Sequence, residues 1–257
     1  MQPQRTSTGP VTARALLILE AFTPAQRTLT LTEIAHRTSV PLTTAHRLVA
    51  ELTAWGALER NDSGRYQIGL RLWEIASLSP RGLGLREVAL PFMEDLSRVT
   101  QENVQLALRE GTESVFVERI AGRKAVPVLT RVGGRFPLYP TGVGRVLLAY
   151  APTEIQEQVL TGPMTAFTEK TITSPRELRR LLADVRRKGF AVNNRQVSMD
   201  SISVAAPVRG ADGTVMAAVS IVVHAHNAEP NALAPVVRAA AQGISRTLGA
   251  VPSARSW

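Results

Sequence analysis

The sequence predicts an α+β protein. An N-terminal winged helix-turn-helix is joined by a linker helix to a C-terminal domain with one sheet and helices on its faces. Two observations lead to this prediction: two short helical patterns around a tight turn in residues 29–49, and a helix–strands–helices–strands–helix order from residue 84 onward. At 257 residues the chain is long enough for two domains. We expect a disordered arm over residues 1–10, the winged helix-turn-helix over 11–70, the linker helix over 71–83 and the second domain over 84–250.

The helix-turn-helix is marked by the residues at its helix ends. Thr30 can cap the first helix while Glu33 reaches back to the Thr30 amide, and apolar residues at 29 and 34 can form a hydrophobic staple. Pro41 suits the first turn of the second helix, and it disfavours helical backbone in the residue before it. An amphipathic pattern in residues 11–22 predicts a third helix that packs across this pair.

The second helix of the pair has an apolar and a polar face. The apolar positions recur with helical spacing, and the other side carries hydroxyl, imidazole and guanidinium groups at Thr43, Thr44, His46 and Arg47. Such groups can hydrogen-bond base edges and phosphates, and a helix fits the major groove of B-DNA. We therefore expect these four residues to contact double-stranded DNA. An ordinary helical pair with a solvated polar face would show the same pattern.

A wing and a linker helix are predicted next. Two strand patterns at 57–60 and 65–68 flank a turn, and Arg60 and Arg65 border its tip, where they can contact the DNA backbone or minor groove. Residues 70–78 predict a helix with an apolar surface around Trp73, suited to docking on its own chain or to pairing with a second subunit. Pairing would supply the two-fold symmetry that a palindromic operator requires.

The second domain is predicted from alternating helix and strand patterns. Its helices are expected at 85–100, 143–150, 153–160, 175–188 and 233–248, and its strands at 104–110, 112–120, 125–132, 190–193, 201–208 and 215–223. Ser174 caps the helix at 175–188. The simplest interpretation of the basic side chains on this helix is a face exposed to solvent. This order suits one largely antiparallel sheet with helices on its faces.

Composition excludes several classes of function. Cysteine is absent, so the chain has no disulfide, thiolate nucleophile or cysteine-ligated metal site. The net charge is +9, but residues 1–80 hold eight arginines and six acidic residues, so the excess charge is not concentrated in the predicted DNA-binding domain. We expect a cytoplasmic protein without membrane contact, because no apolar run is long enough for a membrane span and the N-terminus lacks the apolar core of a secretion signal.

Enzyme and metal sites find little support in the sequence. Nucleophile-elbow, Ser-x-x-Lys and P-loop motifs are absent, and Gly142-Val143-Gly144 lacks the βαβ context of a dinucleotide site. His224 and His226 could share one face of a strand, but no third ligand is near them, and a surface strand end is the simpler interpretation. We expect neither an enzyme nor a cofactor. The alternative that remains is a ligand-binding sensor whose N-terminal domain docks on a protein partner.

Several segments together resemble the IclR family of bacterial transcription regulators. They are RALLILEAF, LTLTEIAHRTSVPLTTAHRLVAELTAWGALERNDSGRYQIG, LREVALPFMEDL, RFPLYPTGVGRVLLAY, TITSPRELRRLLADVRRKGFAV and SISVAAPVRGADGTVMAAVSI. Their order and spacing are more specific than any single helix-turn-helix. The resemblance implies a ligand-responsive regulator, expected to be a repressor, with a GAF-like C-terminal domain that binds a small organic effector. It also implies a homodimer or a dimer of dimers.

By the same resemblance, the effector site is expected at Gly142, Val143, Asn193, Ser203 and Ser220. The chain departs from the family pattern where a cysteine, an acid and a second serine are common, since it has Ser203, Asn193 and Val222 there. Pro140 also replaces a cysteine that is often found in its loop, and Leu42 in the helix-turn-helix stands where many members have lysine. We therefore expect the cavity to differ from that of carboxylate-sensing relatives with the intact motif.

The residues themselves indicate what this site could bind. Gly142 precedes a predicted helix, so a ligand could approach free backbone amides whose dipole favours an anion or a carbonyl oxygen. The two strand serines can add hydroxyls, and apolar walls are expected from Val128, Phe136 and Leu138. We expect a small, partly apolar organic molecule, such as an aromatic carboxylate. The alternative is that these serines and glycines serve only the fold.

Overall fold

The computed structural model describes residues 9–226 and 229–249, so most of the predicted N-terminal arm lies outside the described residues. The chain forms two compact units that divide between Leu83 and Gly84. The first contains α1 (Val11–Glu20), α2 (Leu31–Thr38), α3 (Leu42–Trp55), β1 (Leu58–Arg60), β2 (Tyr66–Ile68) and α4 (Leu70–Ala76). This is a winged helix-turn-helix followed by a short helix, and the predicted fold class is confirmed.

Local capping sets the ends of the helix-turn-helix. Thr30 Oγ1 accepts a hydrogen bond from the Glu33 N–H (3.2 Å), and Glu33 Oε2 accepts one from the Thr30 N–H (2.7 Å), so the predicted capping box is present. Gly56 ends α3 with a φ of 89°, a left-handed conformation that glycine adopts without a steric penalty. The core beneath these helices contains buried Ile18, Leu29 and Leu48.

The second unit contains a six-stranded antiparallel sheet. A π-helical turn (Pro80–Gly84) and α5 (Leu85–Thr100) precede the sheet strands β3 (Asn103–Glu110), β4 (Glu113–Ile120), β5 (Arg135–Pro137), β6 (Ala191–Asn194), β7 (Ser201–Arg209) and β8 (Val215–His224). The strand order is β5-β4-β3-β8-β7-β6. The remaining helices are α6 (Gly142–Ala149), α7 (Thr153–Thr161), α8 (Pro175–Lys188) and α9 (Pro230–Thr247).

Alternation along the strands separates two cores. Every second residue of β3, β7 and β8, such as Val104, Val204 and Ile221, packs in a cluster with α5 and α9. The intervening residues face the opposite side, where α6, α7 and α8 pack over Ala107, Ala205 and Ala218. Because side chains alternate between faces with a period of two, polar residues in this second set lie on the α6 side of the sheet.

The predicted strand at residues 125–132 is wrong. In the structure this segment is irregular, and the strand that pairs with the outer side of β4 is the short β5 further along the chain. Pro127 cannot donate to a strand ladder. Side chains of β3 hold the segment instead: Asn103 Nδ2 donates to Val126 O (2.7 Å) and Gln105 Nε2 donates to Thr130 Oγ1 (2.6 Å). Residues 125–132 therefore pass over the sheet as a loop.

Two helices differ from the sequence prediction at one end. The linker helix predicted over 70–78 ends at Ala76, and α9 begins at Pro230, three residues before the predicted start. No helix within residues 9–226 and 229–249 is long and apolar enough to cross a membrane.

Candidate DNA-binding surface and ligand cavity

One side of α3 is open to solvent. Ala45, Leu48 and Val49 are buried, whereas Thr43, His46 and Arg47 are exposed and Thr44 is half-buried. The structure therefore brings the four predicted residues of this helix to its outer side. A surface of this kind can reach base edges and phosphates in a major groove.

Arg47 is held by a weak partner. Its Nη1 lies 2.6 Å from Glu51 Oε1, one helical turn on, and both side chains are more than half exposed, at 55% and 57%. Exposed ion pairs of this type contribute little, because water and salt screen them. A DNA phosphate or a guanine edge could therefore replace Glu51 as the partner of Arg47 at small cost.

The two wing arginines have different surroundings. Arg60 is exposed, and its Nε donates to Gly64 O (3.1 Å) across the turn. Arg65 faces the domain instead: its Nη2 donates to Glu33 Oε2 (2.7 Å) and to Thr28 O (3.2 Å). The structure thus leaves Arg60 available to DNA and uses the guanidinium of Arg65 to attach the wing to the N-terminus of α2.

The contacts of Glu33 are reflected in its ionisation. Hydrogen bonds from the Thr30 N–H and, next, from Arg65 lower the pKa of the Glu33 carboxyl below its ordinary value. Both donors favour the charged form of the group. Glu33 therefore joins the helix cap to the wing as a carboxylate.

A cavity opens on the α6 side of the second unit. The space within it is about 480 Å³, its open mouth included. Its floor is the sheet, its end is the start of α6, and its cover is the segment 127–130. The lining side chains are all uncharged: Gln105, Phe116, Pro127, Val128, Leu129, Thr130, Thr141, Val143, Asn193, Val197, Ser198, Ser201, Ser203, Ser220 and Val222, with Gly142 contributing backbone.

The start of α6 presents free donors to this cavity. Thr141 is the N-cap, and its Oγ1 accepts from the Gly144 N–H (3.0 Å). The N–H groups of Gly142 and Val143 precede the first intrahelical hydrogen bond and have no acceptor among the described residues. These amides carry the positive end of the helix dipole, so they suit an anionic or carbonyl oxygen.

The strand serines lie beside these amides. Ser203 on β7 pairs with Val222 on β8, and Ser220 on β8 pairs with Gln105 on β3, so both serines occupy neighbouring positions on the α6 face of the sheet. Neither hydroxyl has a hydrogen-bond partner in the part of the chain that the structure describes. Both are therefore available to a ligand.

Asn193 differs from the serines because its amide is already engaged. It is 4% exposed, its Nδ2 donates to Pro140 O, and its Oδ1 accepts from the Gln196 N–H (3.2 Å). These bonds tie the end of β6 to the loop before α6. Asn193 therefore shapes the cavity wall more than it offers free groups to a ligand.

Six of the eight residues predicted for the effector site line this one cavity. They are Val128, Gly142, Val143, Asn193, Ser203 and Ser220. The other two lie outside its lining. Phe136 is on β5, where its ring packs 5.0 Å from that of Phe167, and Leu138 is fully buried in the core around α6.

Several lining residues were missed in the sequence, chiefly Gln105, Thr130 and the serines at 198 and 201. Gln105 carries a usable signal, since it is a polar residue between two apolar ones in a strand. Thr130 carries none, because its segment has a strand pattern. His224 and His226 have ring centroids 5.3 Å apart, but no group of three or more potential metal ligands occurs among the described residues.

Comparisons with known proteins agree with this architecture. Two family models match: the IclR helix-turn-helix domain over residues 11–62 and the bacterial transcriptional regulator IclR C-terminal domain over residues 79–246. The HTH-type transcriptional regulator KipR of Bacillus subtilis (strain 168) is 34% identical over 212 residues, which cover 82% of this chain and 84% of KipR.

Solved structures are similar as well. An IclR homolog from Microbacterium hydrocarbonoxydans, crystallised in complex with 4-hydroxybenzoate, has a TM-score of 0.89 and 38% identity, covering 93% of this chain and 99% of that one. The Thermotoga maritima IclR structure has a TM-score of 0.77 and 28% identity, covering 93% and 98%. Both the helix-turn-helix and the sheet domain therefore have solved counterparts.

Proposed function

The chain belongs to the IclR family of bacterial transcriptional regulators, and we propose that it is a repressor that a small organic acid releases from its operator. As a family member it binds DNA through the helix-turn-helix domain and has a C-terminal effector domain. Its relatives are named as transcriptional regulators, which makes it a regulator and not an enzyme. The effector class, the sign of regulation, the oligomeric state and action in the cytoplasm are parts of the proposal.

The main observation in favour of an acidic effector is the pair of free backbone amides at the start of α6. The N–H groups of Gly142 and Val143 face a cavity that also offers the Ser203 hydroxyl and has apolar residues in its walls. Such a site matches a ligand with a carboxylate at one end and an apolar body. The relative that is 38% identical was crystallised with 4-hydroxybenzoate, an acid of this kind, which supports the same class here.

For the DNA side, we propose contacts from Thr43, Thr44, His46 and Arg47 to the major groove and from Arg60 to the backbone beside it. Their exposure on α3 and the wing supports this assignment. Arg65 is left out of the proposal, because its guanidinium is engaged with Glu33 and Thr28 within the domain.

We further propose a homodimer, or a dimer of dimers, on a palindromic operator. The helix α4 supports this proposal, because its Leu70, Trp73 and Ile75 are 63%, 60% and 47% exposed. An apolar surface of this kind is unfavourable in water unless it is covered. Sedimentation at micromolar concentration should give at least a dimer, whose interface should bury upward of about 1,000 Å². A monomer with full operator affinity would contradict this part of the proposal.

The whole proposal is tested by gel shift with the chain's own upstream DNA and calorimetric titration with a panel of aromatic and short-chain acids. We expect one acid both to bind and to release the DNA, and Ser203→Ala and Ser220→Leu to weaken that binding. Ser114→Ala is the matched control, because the Ser114 hydroxyl donates to Phe136 O (3.0 Å) outside the cavity lining. An acid that releases DNA yet binds all four proteins equally would place the effector site elsewhere.

A further inference from the structure

A buried cation lies on α6, the helix whose start lines the cavity. Arg145, on α6, is 1% exposed and is among the largest fully buried side chains of the chain. Its Nε donates to Tyr139 O (2.9 Å), its Nη1 to Val192 O (3.3 Å) and its Nη2 to Gln196 Oε1. Among the described residues it forms no ion pair, and the acceptors of its hydrogen bonds are all neutral oxygens.

The charge persists at neutral pH. Burial lowers the pKa of Arg145 to about 10, and the more distant Glu177 carboxylate opposes that change. A guanidinium with a pKa in this range is protonated at pH 7. Burying an ion without a counter-ion is unfavourable, and oxygens of backbone and amide groups offset only part of that cost.

Each acceptor of this guanidinium belongs to a residue that lies one or two positions before a lining residue in the chain. Tyr139 lies two residues before Thr141, Val192 precedes Asn193, and Gln196 precedes Val197. Arg145 itself lies three residues after Gly142, on the first turn of α6. The positive charge is therefore close to the free amides, while the lining contains no charged side chain of either sign.

We infer that Arg145 makes the cavity selective for an anionic ligand over a neutral one of the same shape, acting through its electrostatic field and not through contact. This inference rests on the proposed acid effector. The amides of α6 would touch the carboxylate, and Arg145, which does not line the cavity, would be a positioning and field-setting residue. An anion in the cavity would then supply the countercharge that Arg145 lacks within the protein.

The size of the effect follows from Coulomb's law. At a separation on the order of 10 Å and an effective dielectric constant of about 20, one unit charge changes the affinity for a carboxylate by roughly 15-fold. A neutral amide of the same shape has no net charge to interact with that field. The measurable quantity is therefore the preference for acid over amide, which a purely structural role of Arg145 would not change.

The test is calorimetric titration of the full chain with 4-hydroxybenzoate and with 4-hydroxybenzamide. Wild type should prefer the acid. Arg145→Gln, which keeps a hydrogen-bonding side chain without charge, should reduce that preference by roughly 15-fold. Arg145→Lys, which keeps the charge but loses the guanidinium fork, should leave it nearly intact. Thermal unfolding of each variant reports on folding separately.

Glu177→Gln is a second variant for the case in which Arg145→Gln does not fold. Glu177 is exposed at the start of α8, and its backbone, not its side chain, bonds to Ser174. Removing this negative charge, which opposes the field of Arg145, should increase the preference for the acid, but only by about twofold because solvent screens an exposed carboxylate.

The outcomes separate the inference from the proposed function. If wild type prefers the acid and both Arg145→Gln and Glu177→Gln keep that preference unchanged, the inference is overturned and the acid effector stands. If Arg145→Gln weakens the binding of acid and amide equally, Arg145 has only a structural role and the inference is again overturned. If wild type binds the amide as tightly as the acid, the acid class fails and the inference fails with it.

Discussion

Replacing Gly142 by alanine tests whether the start of α6 binds the effector. A methyl group there would lie 2.6 Å from Ser203 Oγ, well inside contact distance, but 3.4 Å from Ala205 Cβ, which is an ordinary contact. The clash is thus with one hydroxyl, which can rotate away. Gly144 offers no such relief, because its methyl group would meet Leu138 O, a backbone atom, at 2.2 Å.

The expected effects on folding and on binding differ in size. Rotating Ser203 costs little, and alanine favours a helix over glycine by roughly 1 kcal/mol, so the free energy of unfolding of Gly142→Ala should change by less than about 1 kcal/mol. A hydrogen bond to a charged group contributes about 1.5–3 kcal/mol, and the displaced hydroxyl would no longer donate one to the carboxylate. Effector affinity should therefore fall by at least about tenfold.

A double-mutant cycle checks the reasoning, with 4-hydroxybenzoate as the probe in calorimetric titration. Both Gly142→Ala and Ser203→Ala should weaken binding, and the double variant should bind no more weakly than Ser203→Ala, because both changes remove the same hydroxyl contact. Additive losses would mean that the methyl group blocks the amides directly. Unchanged affinity in Gly142→Ala would refute the site, since the clash with Ser203 is unavoidable without a rearrangement.

Three further predictions concern the DNA-binding unit. Arg47→Ala should weaken operator binding by about 1–3 kcal/mol in a gel shift. Glu51→Gln, which removes the ion-pair partner of Arg47, should not weaken it. If Arg47→Ala binds the operator as tightly as wild type, Arg47 does not contact the DNA. Arg65→Ala should lower the melting temperature slightly, with little change in operator sequence preference, because its partly exposed guanidinium bonds to Glu33. The pKa of Glu33 is lowered from 4.5 in the folded form, so its contribution is present above that pH and is lost as the pH falls through the lowered value. Wild type should therefore lose its stability advantage over Glu33→Gln as the pH falls below 4.5 in acid-unfolding measurements, because the stability of Glu33→Gln lacks this pH-dependent contribution.

Features set by neighbouring residues could be predicted from the sequence. Thr30 and Glu33 form their capping box within four residues, and Gly56 and Gly189 end their helices with φ values of 89° and 74°. Local strand patterns likewise place Ser203 and Ser220 each within a strand. These features depend on backbone geometry over one or two turns, so a single sequence contains the information.

Features set by distant residues could not be predicted. The bond of Arg65 to Glu33 joins residues 32 positions apart, and nothing in the wing pattern indicates it. Phe136 was expected in a wall of the effector site. The direction of its side chain depends on the pairing of β5 with β4, in which Phe136 lies opposite Ser114. The segment 125–132 has a strand-like composition. Instead of pairing with a strand, it accepts hydrogen bonds from amide side chains of β3 through one backbone carbonyl and one hydroxyl group.

A bound ligand should also change the dynamics of the segment 125–132. Its ends are fixed by backbone bonds, Lys124 N–H to Gln101 O (2.9 Å) and Gly133 N–H to Phe116 O (2.8 Å), whereas its middle depends on the two amides of Asn103 and Gln105. Gln105 can hold Thr130 with one N–H and still offer its other N–H and its carbonyl to a ligand. A ligand beneath the segment therefore adds contacts without removing any. We expect binding to slow amide hydrogen exchange in residues 125–132, and by reciprocity Thr130→Val, which loosens the segment, should weaken binding.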